Sequence, residues 1–372
     1  MSEPAKNKSY QRARNWLVLA NLVLTLFTLL AAIGLGLTGS FYAWAVWFSS
    51  ARYSILFFYF LFFFLYAVLV SFPLSVYSGF MLEHQYQLSN QCFHAWLWEW
   101  TKKELLSFVL TAPLVFALYV LIWNFETSWW LLAWAGYALF SLVLGKLFPI
   151  LIIPLFYKYS PISDESLRGR IESLARRYGF EIQNVFSLNL SKTTKKANAM
   201  FTGFGKTKRV ILGDTLLSSF SHDEIETVVG HELGHCKHRD IWKQFAFGMV
   251  LSLAGFWLAF QWFGQLAGEI GYRGAADVRA FPLLCLIFFL FGLVASPLTN
   301  AFSRRAERRA DLFALEATDK RAAFVSALQK LGETNLADPE PHPVIEFLLY
   351  DHPALGKRIA QARHYRQKVG SR

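Results

Sequence analysis

Six long stretches of this sequence carry almost no charge, and their length restricts the fold more than any other feature. They cover residues 16–37, 53–82, 105–123, 129–157, 245–263 and 281–302, and Lys146 is the only charged residue within them. A bilayer has a hydrocarbon core about 30 Å thick, and a helix rises about 1.5 Å per residue, so about 20 apolar residues span it. The sequence therefore predicts a mainly α, polytopic bundle of transmembrane helices.

The composition excludes both a soluble globular domain and a disordered chain. Hydrophobic residues make up 54% of the 372 positions and charged residues only 17%, whereas soluble domains are about a quarter charged. A disordered chain would lack this apolar and aromatic content. Cys92, Cys236 and Cys285 lie far apart and form no CxxC pair, so neither a disulfide framework nor a cysteine metal site is expected.

The basic residues predict how the bundle is oriented. Four Lys or Arg residues within 6–14 precede the first stretch, and Lys102 and Lys103 follow the second. Because such residues collect on the cytoplasmic side of spans, we expect both termini and the long polar segments in the cytoplasm. The net charge of +11 then indicates the bilayer as a partner. Nucleic-acid binding is the weaker alternative, since the cations flank membrane spans.

The chain divides into four expected segments. Residues 1–157 form an N-terminal bundle of four spans, 158–240 a cytoplasmic α/β segment, 241–302 two further spans, and 303–372 a helical segment. In the last of these, we predict helices over 304–316, which continues the sixth span, and over 321–331 and 354–368.

The segment 158–240 has the pattern of a small α/β unit. Helical spacing of apolar residues begins after Ser163 and closes at Gly179. Short strands are predicted over 185–190 and 209–212, the second after a glycine-containing turn at 202–205. Ser221 and Glu224 form a capping-box pattern, which opens a helix that we expect to reach about Asp240.

This capped helix contains His231-Glu232-Leu233-Gly234-His235, an HExxH pattern. Residues four apart project from one helical face, so both imidazoles can bind one metal ion while Glu232 acts as a general base. The chemistry is peptide hydrolysis without a covalent intermediate. A catalytic zinc also needs a third protein ligand.

Two candidates for the third ligand follow from the residues. Glu307 shares a helical face with Asp311, so one can bind the metal while the other hydrogen-bonds a ligand histidine. Taken alone, however, the Arg-rich sequence around them is also typical of a charged helix start beside a membrane. His238 is the rival, but one helix cannot direct three imidazoles to one ion, and we interpret it as a surface residue.

Four motifs, in this order, resemble the type I CAAX prenyl protease family of integral-membrane zinc metallopeptidases, whose bacterial relatives include the heat-shock membrane protease HtpX. They are Asn198-Ala199-Met200-Phe201-Thr202-Gly203 with Asp214-Thr215-Leu216-Leu217, then HELGH with Asp240, then Glu307 with Ala310-Asp311, then His352-Pro353 with Arg358. The resemblance extends from Pro154 to Arg358. It implies a gluzincin-like α/β zinc protease domain on the cytoplasmic side of a bundle with six to seven spans.

The resemblance also implies the role of each site residue. His231, His235 and Glu307 match the ligands of one Zn²⁺ per chain, Glu232 the general base, and Asp311 the partner of a ligand histidine. His352 and Arg358 match the pair that stabilises the oxyanion. Asn198 and Ala199 match the edge strand that pairs with an extended substrate.

The sequence departs from the family at three points. Only six apolar stretches are present, whereas the eukaryotic enzymes have seven spans. Asp351 replaces the small hydroxyl residue that usually precedes His-Pro, which predicts a different hydrogen bond at His352. The long eukaryotic C-terminal extension is absent, which favours a bacterial plasma-membrane protein.

These patterns predict a membrane zinc endopeptidase whose substrate is a peptide or protein, with or without a prenyl group. The substrates are either C-terminal CAAX-type peptides or damaged membrane proteins. The alternative from another class is a transporter or scaffold with a structural metal site. A structural site needs no general base, so Glu232 discriminates between them.

Overall fold

The structure is a computed structural model, and it describes residues 3–203 and 208–365. Within these ranges, six helices are long and apolar enough to cross a membrane, as the sequence predicts. The helices of the first half are α1 (Glu3–Gly34), α2 (Leu37–Phe48), α3 (Arg52–Val76), α4 (Leu82–Gln85), α5 (Phe93–Asn124), α6 (Trp129–Leu147) and α7 (Ile153–Phe156). One π-helical segment, Tyr77–Met81, joins α3 to α4, and another, Phe148–Ile152, joins α6 to α7. Each pair therefore forms one continuous span.

Helix α2 was not expected from the sequence. It follows Gly36, whose φ of 69° ends α1, and its twelve residues correspond to about 18 Å, too short to cross a bilayer. It packs on α3 through a core that includes Phe41, Phe60 and Tyr119. Large apolar side chains elsewhere on the bundle face outward, among them Leu69 at 72% and Val294 at 72% exposure. Such a surface is what lipid contact requires.

The α/β segment contains a four-stranded sheet with the order β1-β2-β4-β3. The strands are β1 (Tyr159–Pro161), β2 (Asn184–Leu188), β3 (Ala199–Thr202) and β4 (Arg209–Gly213), and the helices α8 (Glu165–Arg177), α9 (Asp214–Ser219) and α10 (His222–Lys237) surround it. β2 and β4 are parallel, and the other two pairs are antiparallel. In the described part of the chain, β3 forms one edge of the sheet.

Local signals fix the helix ends in this segment. The predicted capping box is confirmed, because Ser221 and Glu224 satisfy each other's backbone donors. The prediction that this helix reaches Asp240 was wrong, because Arg239 takes a left-handed φ of 54° and Asp240 starts the next helix. The helix expected after Ser163 is α8, and Asp164 caps it by accepting from the Leu167 amide. Residues 204 and 205 of the predicted turn lie outside the described ranges.

The remaining helices are α11 (Asp240–Glu269), α12 (Phe281–Thr318), α13 (Arg321–Thr334), α14 (Pro343–Leu349) and α15 (Leu355–His364). Helix α12 is one unbroken helix of 38 residues, so the expected segment boundary at residue 302 falls within it. Its first half belongs to the bundle, and its second half packs against α10. The helix predicted over 354–368 is observed as α15, which ends at His364. Residues 366–368 of the prediction lie outside the described ranges.

Candidate metal centre

Two glycines allow α10 and α12 to approach closely enough to build a common site. A Cβ atom at Gly234 would lie 2.9 Å from the Cα atom of Ala310, and one at Gly230 would lie 3.1 Å from a methyl group of Thr318. Small residues four apart on one helix face therefore pack against α12 without intervening side chains. This contact brings the histidines of α10 against the carboxylates of α12.

Three side chains with possible ligand atoms converge where the helices meet. Nε2 of His231 lies 3.2 Å from Nε2 of His235. Glu307 Oε2 lies 3.3 Å from His231 Nε2, and its Oε1 lies 3.2 Å from His235 Nε2. Ligand atoms that surround a tetrahedral zinc at 2.0–2.1 Å are themselves about 3.3 Å apart, so each of these three distances agrees with the spacing that this ion requires.

One oxygen of the ligand set has no hydrogen-bond partner in the described chain, and a bound cation would interact with it. Oε2 of Glu307 is buried and has no hydrogen-bond partner among the described residues. An unpaired buried carboxylate oxygen is strongly destabilising unless a positive charge faces it. Two imidazoles and one carboxylate also form the ligand set of many catalytic zinc sites. The residues present therefore fit a zinc ion.

A carboxylate holds the outer nitrogen of each ligand histidine. Asp311 Oδ1 lies 2.8 Å from Nδ1 of His231, and Asp240 Oδ2 lies 3.1 Å from Nδ1 of His235. Such contacts keep the imidazole in the tautomer that presents Nε2 to a metal. The sequence predicted the Asp311 contact, whereas Asp240 was noted only as part of a motif and received no role.

Arginines hold both of these aspartates in turn. Arg358 forms a two-pronged hydrogen-bond pair with Asp311, at 2.8 Å from Nε and 2.6 Å from Nη2. Arg309 Nη2 donates to Asp240 at 2.9 Å. Burial alone would lower the pKa of His231, but the nearby carboxylates of Asp311 and Glu307 outweigh this effect and raise the pKa to about 9. The site is therefore strongly negative around its histidines and suited to a cation.

Glu232 lies on α10 between the two histidines and, with His231, lines a cavity beside the centre. Burial raises the pKa of its carboxyl group, although His231 and His235 oppose this effect. A carboxylate with a raised pKa is a stronger proton acceptor than an exposed one, which is the property that a general base needs.

His352 faces the centre from a different part of the chain. Its Nε2 lies 3.3 Å from Oε1 of Glu307, and its Nδ1 lies 2.8 Å from Oδ1 of Asp351. The hydrogen bond to Asp351 raises the pKa of His352. The unusual Asp351 therefore takes part in the hydrogen bonding at His352, as expected. Arg358, in contrast, contacts Asp311, with its Nη2 3.9 Å from Glu307 Oε2.

The edge strand β3 and the residue before it line the same cavity, which has a volume of about 530 Å³. Ala199 pairs with Leu212 on the inner side of the strand. Asn198 accepts from the Gly213 amide through its backbone carbonyl at 2.8 Å, and its side chain accepts from the Ala199 amide at 2.9 Å. The structure thus brings Asn198 and Ala199 together with the metal centre.

His238 does not join the centre. It caps the end of α10, where its ring packs against Phe313. The three-residue group that could hold a metal within the described chain consists of His231, His235 and Glu307.

Two protein-family models match this chain. Residues 161–366 match the model of peptidase family M48, and residues 2–158 match the model described as CAAX prenyl protease N-terminal, five membrane helices. Four of the span-length helices and the short α2 lie within the second match.

Individual relatives cover most of the chain. An uncharacterized metalloprotease of Bacillus subtilis, YhfN, is 32% identical over 79% of this chain and 70% of its own length. A CAAX prenyl protease 1 homolog of Arabidopsis thaliana is 33% identical over 77% and 68%, respectively. The crystal structure of S. mikatae Ste24p superposes with a TM-score of 0.88 at 24% identity, covering 98% of this chain and 89% of that one, which shows the same fold.

A helix bundle of membrane type that carries an HExxH centre defines an integral-membrane metallopeptidase. The chain belongs to peptidase family M48, and its N-terminal bundle is of the CAAX prenyl protease type. It is therefore a multi-pass membrane metalloprotease. The transporter or scaffold alternative receives no support from these comparisons.

Proposed function

We propose that this protein hydrolyses peptide bonds with one Zn²⁺ ion per chain, held by His231, His235 and Glu307. The observation that carries the proposal is the convergence of the three side chains. The two Nε2 atoms lie 3.2 Å apart, and each lies 3.2–3.3 Å from one carboxylate oxygen of Glu307. When bound, such an ion polarises the scissile carbonyl and makes water more acidic.

In the proposed mechanism, Glu232 accepts a proton from the attacking water and passes it to the leaving amine. Its raised pKa supports this role. Asp311 and Asp240 keep the ligand histidines oriented. His352, hydrogen-bonded to Asp351, lies at the cavity wall beside Glu307, from where its imidazole can donate to the developing oxyanion.

Arg358 lies next to the proposed metal ligands, where its positive charge can stabilise the same oxyanion. Its guanidinium is fixed on Asp311, and its Nη2 lies 3.9 Å from Glu307 Oε2. A buried cation at this distance stabilises negative charge at the centre more strongly than one in water does. We therefore propose that Arg358 both positions Asp311 and contributes to oxyanion stabilisation.

The proposed substrate is an extended peptide that pairs with the free edge of β3, at the end of the strand where Asn198 and Ala199 lie. Two classes fit this mode: C-terminal CAAX-type peptides, with or without a prenyl group, and damaged membrane proteins. The names of the Arabidopsis and other CAAX prenyl protease relatives favour the first class. The cavity of about 530 Å³ also suits a short peptide segment.

We further propose that the protein resides in a bacterial plasma membrane with both termini and the active site in the cytoplasm. The proposal rests on the Lys and Arg residues at the ends of the spans. In this proposal, these Lys and Arg residues interact with the membrane surface rather than with a nucleic acid. Labelling of single cysteines introduced at Asn124–Ser128 and near residue 158 in intact cells would test this orientation.

The function is tested on detergent-purified protein by measuring its metal content and its peptidase activity beside Glu232→Gln. The substrates are a farnesylated CAAX peptide, its unprenylated twin and a casein-type protein. We expect equal zinc in both proteins and cleavage by the wild type alone. The preferred substrate distinguishes CAAX processing from general proteolysis. Stoichiometric zinc without cleavage of any substrate, and without an effect of the substitution, would instead indicate a structural metal.

A further inference from the structure

The first membrane helix forms one wall of the cavity in front of the metal centre. Gln11, Arg14, Asn15 and Val18 of α1 line it, and their spacing places them on one helical face. The same cavity is lined by Ala197, Asn198 and Ala199, at the start of the edge strand, together with His231 and Glu232. A membrane helix and the start of the proposed substrate strand therefore line one cavity.

Polar contacts fix α1 relative to that strand. Tyr10 donates to Glu83 Oε1 at 2.6 Å, and Lys196 Nζ lies 2.8 Å from both Glu83 Oε2 and the Tyr10 hydroxyl. Lys196 is two residues before Asn198. One turn earlier on α1, the Asn7 amide donates to the backbone carbonyl of Ala337 at 3.3 Å. The position of Arg14, one turn after Tyr10, is thereby set with respect to the start of β3.

Arg14 has no partner in the part of the chain that the structure describes. It is exposed to the cavity and forms no hydrogen bond or ion pair there. The second guanidinium of the cavity, that of Arg358, is bound to Asp311. Of the acidic groups of the wall, Asp338 accepts from the Glu340 amide and Asp351 pairs with His352, and neither these two nor Glu232 forms an ion pair with Arg14. Arg14 is thus a cation whose donors are open to a bound molecule.

We propose that Arg14 binds the free C-terminal carboxylate of the substrate and so directs cleavage to bonds near a chain end. This inference rests on the proposed peptidase function. The terminal carboxylate is the one anion that every peptide carries regardless of its sequence, and a guanidinium recognises it with two parallel hydrogen bonds. Because the cavity adjoins the Ala197–Ala199 end of β3, a peptide with its C-terminus at Arg14 runs antiparallel to this strand.

The helix provides a matched control. Arg12 is also exposed and carries the same charge, but it lies two residues away, about 200° around the helix, and does not line the cavity. Arg12→Gln and Arg14→Gln therefore remove the same charge from the membrane-flanking cluster, and only one of them changes the cavity. Arg14→Lys keeps the charge but loses the planar fork.

The experiment compares two forms of the peptide that the wild type cleaves best, one with a free C-terminal acid and one with a C-terminal amide. We expect the wild type and Arg12→Gln to favour the acid by about 10- to 100-fold in kcat/KM, mainly through KM. Arg14→Gln should lose this preference, so that it cleaves the acid and the amide at similar rates, and it should retain its zinc. Arg14→Lys should show an intermediate preference.

Three outcomes would overturn the proposal. The wild type could cleave the acid and the amide equally, Arg14→Gln could slow both peptides by the same factor, or Arg12→Gln could abolish the preference as fully as Arg14→Gln. Either of the last two outcomes would indicate that Arg14 anchors the helix at the membrane surface or contributes only to the overall electrostatic field. Failure of the proposed function itself looks different, because the wild type would then cleave no peptide better than Glu232→Gln.

Discussion

The membrane bundle and the catalytic region are stabilised by different kinds of contact. In the bundle, aromatic rings such as those of Phe60, Phe63 and Tyr119 pack around Phe281, and apolar side chains cover the outer surface. In the catalytic region, Glu307, Asp311 and Asp240 are buried with specific charged or histidine partners. Apolar packing depends on volume, whereas each buried charge depends on one particular partner. Single substitutions should therefore have much larger effects in the catalytic region.

The largest effect is expected at Glu307. Glu307→Gln removes the only carboxylate among the proposed ligands, so zinc affinity should fall at least about a hundredfold and peptidase activity should be lost. Glu316→Gln on the same helix is the control, because Glu316 is exposed and lies outside the site. Metal titration of the two purified variants measures the difference. Equal zinc affinities would contradict the proposed ligand set.

A smaller loss of zinc affinity is expected when a residue that contacts a ligand histidine is changed. Asp240→Asn weakens the contact with His235 Nδ1 and leaves Arg309 without its counter-charge. Zinc affinity should decrease about 10- to 100-fold, with activity restored at high zinc. If zinc does not restore the activity, Asp240 supports the fold rather than the ligand.

The two regions should also differ in their tolerance of one added methyl group. Gly234→Ala inserts a Cβ 2.9 Å from the Cα atom of Ala310, and we expect destabilisation of about 1–3 kcal/mol together with weaker zinc binding. At Gly292, in the bundle half of α12, an added Cβ has no neighbour within 4 Å. Gly292→Ala should leave the thermal midpoint in detergent unchanged or slightly higher. Equal destabilisation by both variants would contradict the expected difference between the two regions.

The smallest effect concerns the reactivity of the thiols. Burial raises the pKa of Cys236, the residue after His235, to about 12. Cys92, in contrast, is exposed just before α5. The thiolate is the reactive form, so at pH 8 iodoacetamide should modify Cys92 at least about tenfold faster than Cys236. Peptide mapping by mass spectrometry after timed alkylation measures both rates. Rapid labelling of Cys236 would show that the site opens to solvent.

Elements that depend on local pattern were predictable from the sequence. The six span-length helices follow from uninterrupted apolar stretches, and the start of α10 follows from the Ser221 and Glu224 capping box. The HExxH spacing alone places two imidazoles on one face of a helix. Membership of the family of membrane metallopeptidases followed from motifs within these elements, and the comparisons confirm it.

Elements that depend on distant contacts were not predictable. Helix α2, the short strand β1 and helix α14 have weak local signals and are stabilised by packing against other parts of the chain. The Asp240 contact with His235 requires the left-handed turn at Arg239. Arginine is not a residue type that predicts such a turn. The contact of Arg358 with Asp311 joins residues 47 positions apart.

The sequence by itself determined that this chain spans a membrane and carries a metallopeptidase motif, because hydropathy and helical spacing are properties of neighbouring residues. Only the tertiary structure decided that Glu307 completes a triangle with His231 and His235, since small residues must first bring α10 and α12 into contact. It also decided that Arg14, which reads in the sequence as a membrane-flanking cation, faces the cavity of the active site. The direction of a side chain across a cavity depends on how whole helices pack, and no local pattern encodes that packing.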